Sequence, residues 1–350
     1  MFLALHEIKK EKLRYGLVIA VIMMIAYLIF ILSSLALGLA NENTAAVNSW
    51  QSQSVVMSKD ANGDLSQSLL TQADVNKVGD KQADLLALTP GILKHGSTRD
   101  SAMFVGVDQT AQVSKTIKLS QGRLWQKPTE VVVSSKLADQ GVRLGQQITV
   151  GLSQQKLTVV GFAKNAEYNM APIVYGDRSQ WSAIKGVTNS FVGSGLVSQK
   201  QLKTQQSGLQ VYSKAALFDK MPGYSAQNKT FVFMIAFLII ISIVIVAIFL
   251  YILTVQKMEN FAVLRAQGIP SSYLILNTLV QTIVMMVVAV VISMALALGT
   301  SAIIPAAVPM YFDFTLIGLT GLALVVMGMI GAIIPMRIIA KIDPVTVIGG

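Results

Sequence analysis

The chain has 350 residues, of which 53% are hydrophobic and 13% charged, with no cysteine and a formal net charge of +10. Soluble domains carry roughly 25% charged residues, so a wholly water-soluble fold is excluded. The missing cysteines exclude disulfides, thiolate metal sites and thiol nucleophiles, and positive charge dispersed among acids points to anionic lipid rather than nucleic acid.

Residues 1–15 read as a short amphipathic helix with Leu5 and Ile8 on one face and His6, Lys9, Lys10, Lys12 and Arg14 elsewhere. Such a helix lies in a headgroup plane, although the stretch reads equally well as a plain basic flank. Residues 16–40 form the first uncharged window, long enough for the roughly 20 residues of a bilayer-spanning helix. No small-x-small cleavage site follows it, so it is expected to stay as an anchor. Ser33, Ser34, Ala36 and Gly38 give its later half a small-residue face suited to close packing.

Residues 41–229 have a soluble composition, with 20 Lys/Arg against 13 Asp/Glu. Short strand-like runs (Val55–Met57, Met103–Val107, Glu130–Ser134, Gln147–Val150, Leu157–Phe162, Ile173–Tyr175) alternate with helix-like pieces at Lys136–Gln140, Arg178–Ile184 and Lys214–Lys220. This mixture predicts an α+β domain held by a buried core. Asp60–Gln121, rich in Ser, Gln, Asp and Lys, reads as a second subdomain or a mobile insertion.

Three further uncharged windows follow at residues 230–255, 273–305 and 314–336. They are separated by a segment at 256–272, a short loop at 306–313 and a tail at 337–350. The predicted fold class is an integral membrane α-helical protein with four transmembrane helices and a large extracytoplasmic α+β domain between helices 1 and 2. Lys and Arg occur in the N-terminal flank, the 256–272 segment and the tail but not in the 306–313 loop. By the positive-inside rule both termini face the cytoplasm.

Chemistry is sparse. The three inner segments are too short to fold a nucleotide-hydrolysing domain, and G-x-x-x-x-G-K-[ST] is absent from the chain. Any ATP use therefore needs a partner chain. His95, in Lys94-His95-Gly96, reads as a water-exposed turn histidine without catalytic partners. The segment Thr254–Gly268 reads as the second span continuing as a helical stalk and ending on Gly268. Lys257 and Glu259 fit a solvated loop, whereas Phe261, Val263 and Leu264 need something to pack against, which favours docking.

The run Glu259-Asn-Phe-Ala-Val-Leu-Arg-Ala-Gln-Gly268 resembles the E-x-[FI]-[AG]-[VI]-L-R-A-[LMQ]-G signature of the MacB/FtsX superfamily, the type VII ABC-transporter permeases. The tail Arg337-Ile-Ile-Ala-Lys-Ile-Asp-Pro-Val-Thr-Val-Ile348 is similar to that superfamily's R-x-x-x-x-[DS]-P-x-x-x-[IL] ending. The four-span layout and the strand pattern of residues 130–161 match as well. The resemblance implies a non-catalytic permease subunit in a bacterial cell membrane, working as a homodimer with two copies of an ABC ATPase that binds ATP-Mg. It makes Glu259, Phe261, Leu264, Arg265 and Gly268 the ATPase-coupling residues.

The opening Met1–Ile19 and Phe231-Val-Phe-Met-Ile235 resemble the haem-efflux branch of this family, implying haem as cargo and relief of haem toxicity. Without cysteine, Met and Tyr are the remaining axial-ligand types. Met23 and Tyr27 share a helix face at i, i+4, and Met234 lies near the end of span two. Tyr168 and Met170 would point to one side of an extended strand. The family also holds FtsX-like transducers that activate an external cell-wall hydrolase, and exporters of lipoproteins or antimicrobial peptides; both remain alternatives.

Overall fold

Uncharged apolar windows and alternating polar stretches build different architectures in this chain. The computed structural model describes residues 2–202, 207–304 and 308–342. Pro305, the first two residues of the predicted external loop, and Asp343–Ile348 of the tail motif lie outside the described residues. The chain divides into a helical unit, Met1–Gly38 with Lys229–Gly350, and a sheet unit, Leu39–Asn228.

The long helices are α1 (Phe2–Lys10), α2 (Lys12–Ser49), α3 (Tyr224–Gln256), α4 (Met258–Ala266), α5 (Ser271–Ile303), α6 (Phe314–Gly331) and α7 (Ile333–Ala340). Among the described residues, four stretches are long and apolar enough to cross a membrane: α2, α3, α5, and α6 together with α7. α2 runs unbroken past Ala40 to Ser49, and its last turns belong to the sheet unit. α3 is apolar all round, leaving Val232, Phe233, Phe237, Ile240, Val244 and Ile248 exposed. Lipid or a second protein surface satisfies such a helix; water does not. The small-residue face of α2 has a specific use. Tyr311 donates its backbone N–H to the Ser34 carbonyl at 3.1 Å, and a Cβ on Gly38 would overlap the Pro309 carbonyl oxygen. Asp313 then caps α6, accepting from the N–H groups of Thr315 (2.8 Å) and Leu316 (3.2 Å).

The strands are β1 (Ser54–Ser58), β2 (Leu70–Thr71), β3 (Asp84–His95), β4 (Thr98–Gly106), β5 (Leu119–Gly122), β6 (Glu130–Ser134), β7 (Gln147–Val150), β8 (Leu157–Ala163), β9 (Glu167–Tyr168), β10 (Ala171–Gly176), β11 (Phe191–Gly193), β12 (Gly195–Ser198) and β13 (Leu209–Ser213). The main sheet runs β13-β1-β12-β3-β4-β10-β6-β8-β5, and β2 pairs separately with β11. β10 is parallel to β4, and β6 is parallel to β8. β7 pairs with β8 on one side and with residues 93–94 of β3 on the other. The path β3-β4-β10-β6-β8-β7 therefore closes on itself.

Closure explains why β6 reads as a continuous apolar run: both of its faces are buried. Val131 and Val133 join Phe104, Ile148, Val150, Leu157, Val159 and Val174 in one core. Val132 faces the other way, into a core with Val105, Tyr175 and the α2 residues Ala46 and Val47, beside Trp50. Two sequence expectations are corrected here. Asp60–Gln121 is neither insertion nor separate subdomain, because its β3–β4 hairpin lies at the centre of the sheet. Its polar residues belong to the turns and edges around an apolar middle. His95 is not an exposed turn residue: that hairpin buries it and brings its Nε2 within 2.9 Å of Asp100 Oδ2.

Candidate coupling site and ligand positions

A group of polar residues in the helical unit, Tyr15, Thr254, Lys257, Thr278 and Gln281, gathers where α3 ends. α3 stops at Gln256, and Lys257, with φ −102° and ψ 5°, separates it from α4. The expected unbroken stalk is thus two helices with a joint. Lys257 is 8% exposed, which corrects its reading as a solvated loop residue. Its ammonium donates to Tyr15 Oη at 2.7 Å and to Glu7 Oε2 at 3.0 Å, and lies 5.1 Å from the centroid of the Tyr15 ring. Tyr15 donates in turn to Gln281 Oε1 at 3.0 Å, and the Gln281 amide closes the circuit by donating to Glu7. Burial opposes the Lys257 charge, but the Tyr15 and Glu7 contacts outweigh it and raise the ammonium pKa. One buried charge thereby ties together α1, α2, the α3–α4 joint and α5.

α4 ends by a reason visible in its backbone. Gly268, at φ +89°, donates to the Arg265 carbonyl at 3.0 Å, and Ile269 donates to the Leu264 carbonyl at 3.1 Å. This is the Schellman pair of hydrogen bonds, and Pro270 follows it. Phe261 and Ala262 are buried against Leu274, Ile339 and Ile342, with Leu264 partly buried beside them. Phe261 and Leu264 therefore find their partners within the chain, whereas Val263 stays exposed. Arg265 is half-buried, and its Nε has no hydrogen-bond partner among the described residues. α4 exposes Glu259, Asn260, Val263 and Ala266, and its C-cap Gln267 is exposed too; Glu259, Val263 and Gln267 share one face at i, i+4 and i+8.

The ligand candidates are not brought together. Tyr168 is 2% exposed and stacks on Trp50 with ring centroids 6.3 Å apart. Met170 is 48% exposed. Asn169 (φ +50°) and Met170 (φ +64°) make the two-residue turn between β9 and β10, the geometry of a type I′ hairpin. Tyr168 and Met170 do not share a strand face, which corrects the extended-strand reading. Their turn is held on α2, where the N–H groups of Asn169 and Met170 donate to the carbonyls of Asn43 (3.0 Å) and Glu42 (3.2 Å). In α2, Met23 packs beside Ile22 and Met285, and the Tyr27 hydroxyl lies 2.9 Å from Thr300 Oγ1. Met234 is 40% exposed on α3. Sequence reasoning passed over its neighbours Phe233 and Phe237, whose exposed rings stack at 6.4 Å. Their i, i+4 spacing in an uncharged window was the available signal.

Comparison with known proteins decides the family. Residues 16–211 match the family model described as MacB-like periplasmic core domain, and residues 232–344 match that of the FtsX-like permease C-terminal. The chain is a MacB/FtsX-type ABC permease. Relatives include proteins named putative hemin transport system permease protein HrtB. That of Staphylococcus haemolyticus is 24% identical over 360 residues, and one from Staphylococcus epidermidis is 26% identical over 354; each alignment covers 100% of this chain and 99% of the relative. An uncharacterized ABC transporter permease of Mycobacterium tuberculosis is 24% identical over 361 residues with the same coverage. Among solved structures, the extracellular domain of the noncanonic ABC-type transporter YknZ is 16% identical, with a TM-score of 0.33, covering 46% of this chain and 99% of that one. The permease is therefore a multi-pass membrane protein with four transmembrane helices and a large extracytoplasmic α+β domain between the first and second. Like its relatives it is a non-catalytic subunit, and ATP hydrolysis lies in its partner.

Proposed function

We propose that this permease forms a homodimer, binds two copies of a separate ABC ATPase that carries ATP-Mg, and expels haem from a bacterial cell membrane, protecting the cell from haem toxicity. The observation that carries the cargo is full-length similarity to staphylococcal proteins named as hemin transport permeases. The exposed Phe233, Met234 and Phe237 on α3 support it, offering flat apolar rings and a thioether. A second copy facing this patch would form the kind of apolar cavity with few polar groups that suits an amphipathic ligand. Haem enters such a cavity sideways from lipid, so no water-filled channel is needed.

With both termini in the cytoplasm, the exposed face of α4 (Glu259, Val263, Gln267) meets the ATPase. Closure of the ATPases tilts α4 about Lys257, and Glu7, Tyr15 and Gln281 pass the shift to α1, α2 and α5. α2 is a single helix from Lys12 to Ser49, so it carries motion toward the extracytoplasmic domain alongside α3. Coupling is mechanical, and the permease makes and breaks no covalent bond. The test is haem-stimulated ATPase activity of the reconstituted complex, paired with haem accumulation in a deletion strain. Stimulation and accumulation are expected. Haem tolerance unchanged by deletion, with a cell-wall hydrolase held by the extracytoplasmic domain, would replace export with a transducer role; loss of lipoprotein or peptide release instead would change the cargo.

A further inference from the structure

The sheet unit holds a cavity of about 250 Å³ between the end of α2 and the loops that flank β5 and β8. Its polar lining includes the amides of Asn41, Asn48, Gln51 and Asn165, the hydroxyl residues Ser49 and Thr116, and Lys118 and Lys164; no carboxylate contributes. The two lysines are neighbours by construction. The β5–β8 ladder pairs Leu119 with Ala163, and one step further Lys164 donates its backbone N–H to the Lys118 carbonyl at 2.8 Å. Like charges placed opposite each other across antiparallel strands repel. Neither ammonium has an ion-pair or hydrogen-bond partner among the described residues.

Other features agree. Gln51 (φ +54°) and Asn165 (φ +51°) both occupy the left-handed region, which asparagine tolerates and which costs glutamine more. The buried Tyr175 also lines the cavity, and burial pushes its phenol up to about 12, so it keeps its proton. α2 is helical throughout, so Asn41 and Asn48 follow the apolar window ending at Ala40 by about 1.5 and 12 Å along the axis. That reach suits a ligand whose other end is apolar.

We propose that this cavity is an oxyanion site, taking a carboxylate or phosphate group of an anionic amphiphile between Lys118 and Lys164. Two sources share that chemistry: the propionates of haem, an arm that rests on the function proposed above, and the phosphodiester of an anionic lipid, which does not. Two exposed cations without a carboxylate partner, beside neutral amides in a lining without acids, favour negative charge. Charge-assisted hydrogen bonds are the strong ones, and an anion between the lysines also removes their repulsion.

The test uses the full-length permease in phosphatidylcholine nanodiscs with and without phosphatidylglycerol, comparing wild type with Lys118→Met/Lys164→Met and with Lys118→Arg/Lys164→Arg. Haem and haem dimethyl ester are titrated by quenching of tryptophan fluorescence, and retained phosphatidylglycerol is read by native mass spectrometry. If the ligand is the propionate, the methionine variant loses about tenfold or more in haem affinity, the ester binds both proteins alike, and the arginine variant keeps the wild-type affinity. If the ligand is the lipid, haem affinity is unchanged, while phosphatidylglycerol is retained by the wild type and the arginine variant and lost from the methionine variant. Because the methionines remove a repulsion, that variant should melt no lower than wild type without ligand. Unchanged haem affinity together with unchanged lipid retention overturns the site. A wild type that binds no haem but shows lysine-dependent lipid retention overturns the haem reading and leaves the site standing.

Discussion

Two buried glutamates of the sheet unit contribute to stability with opposite signs. Glu130 takes both arms of the Arg123 guanidinium, at 2.7 and 2.8 Å, and the Gln126 N–H at 2.8 Å; Arg123 first and the backbone donor second hold its carboxyl down to about 2. Glu167 accepts a hydrogen bond from Ser134 Oγ at 2.8 Å, yet burial outweighs this and raises its pKa. A depressed folded-state value means that the Glu130 contribution is complete above its unfolded value, near 4.3, and is lost as the pH falls from there toward about 2. For Glu167 the sign reverses: stability favours the protonated form and declines as the pH rises through its raised value. Glu130→Gln should therefore cost roughly 1–2 kcal/mol at neutral pH, a figure discounted because Arg123 is partly exposed, and should flatten the acid limb of stability. Glu167→Gln should leave neutral-pH stability unchanged or improved. Melting temperatures across the acid range read both, and an acid limb in Glu130→Gln that matches wild type would refute the assignment. The strand beginning at Glu130 was legible in its run of valines, but its partner was not. Arg123 reaches Glu130 because its N–H bonds to the Val160 carbonyl at 3.0 Å, a long-range pairing that local pattern does not encode.

Among the elements, α4 separates surface from core within nine residues. Glu259 faces outward, whereas Phe261 is 5% exposed in a cluster with Leu274 and Ile339. Glu259→Lys should reduce co-purification of the ATPase several-fold with an unchanged melt. Phe261→Ala should instead lower the melt, by about 3 kcal/mol of stability, through the cavity it leaves. If Glu259→Lys binds the ATPase as wild type does, the docking face lies elsewhere. At the joint, Lys257→Met removes the charge that neutralises Glu7; the expected result is reduced haem-stimulated ATPase activity with haem binding retained. Co-substitution with Glu7→Gln, which removes the stranded carboxylate, should recover part of it, and a double variant no better than the single one would discard the joint. Sequence identified the stalk and its end at Gly268, because glycine before Ile-Pro is a strong helix stop. It missed the break at Lys257, since no Pro or Gly marks it. The break is stabilised by Glu7, Tyr15 and Gln281, residues far apart in the chain, and that convergence also explains how a lysine can be buried there.

For the whole molecule, the extent of α2 decides what can fold alone. Its last turns supply Ala46 and Val47 to the core that Trp50, Val105, Val132 and Tyr175 also build, and the Glu42 and Asn43 carbonyls take the turn of the β9–β10 hairpin. Hydropathy ended the first span at Ala40 because polar Asn41, Glu42 and Asn43 follow. What it left invisible is that the helix continues, changing its surroundings from apolar solvent to protein core while keeping its backbone pattern. Likewise the alternation of strands and short helices made the α+β class legible, while the closed path through β7 depends on pairings between residues more than fifty apart and has no local signal. An excised fragment of residues 39–228 should therefore be water-soluble and melt in one cooperative transition, since the hydrophobic cores of the sheet unit lie within it. A fragment beginning at Ser54 keeps every strand but loses Ala46, Val47 and Trp50, opening a gap in the core on one face of β4, β6 and β10. It should retain far-ultraviolet circular dichroism, bind a hydrophobic dye and lose its sharp melt, as packing without a lid predicts. Equal cooperativity of the two fragments would show that the end of α2 is only a tether, and motion arriving along that helix would then have no packed core to act on.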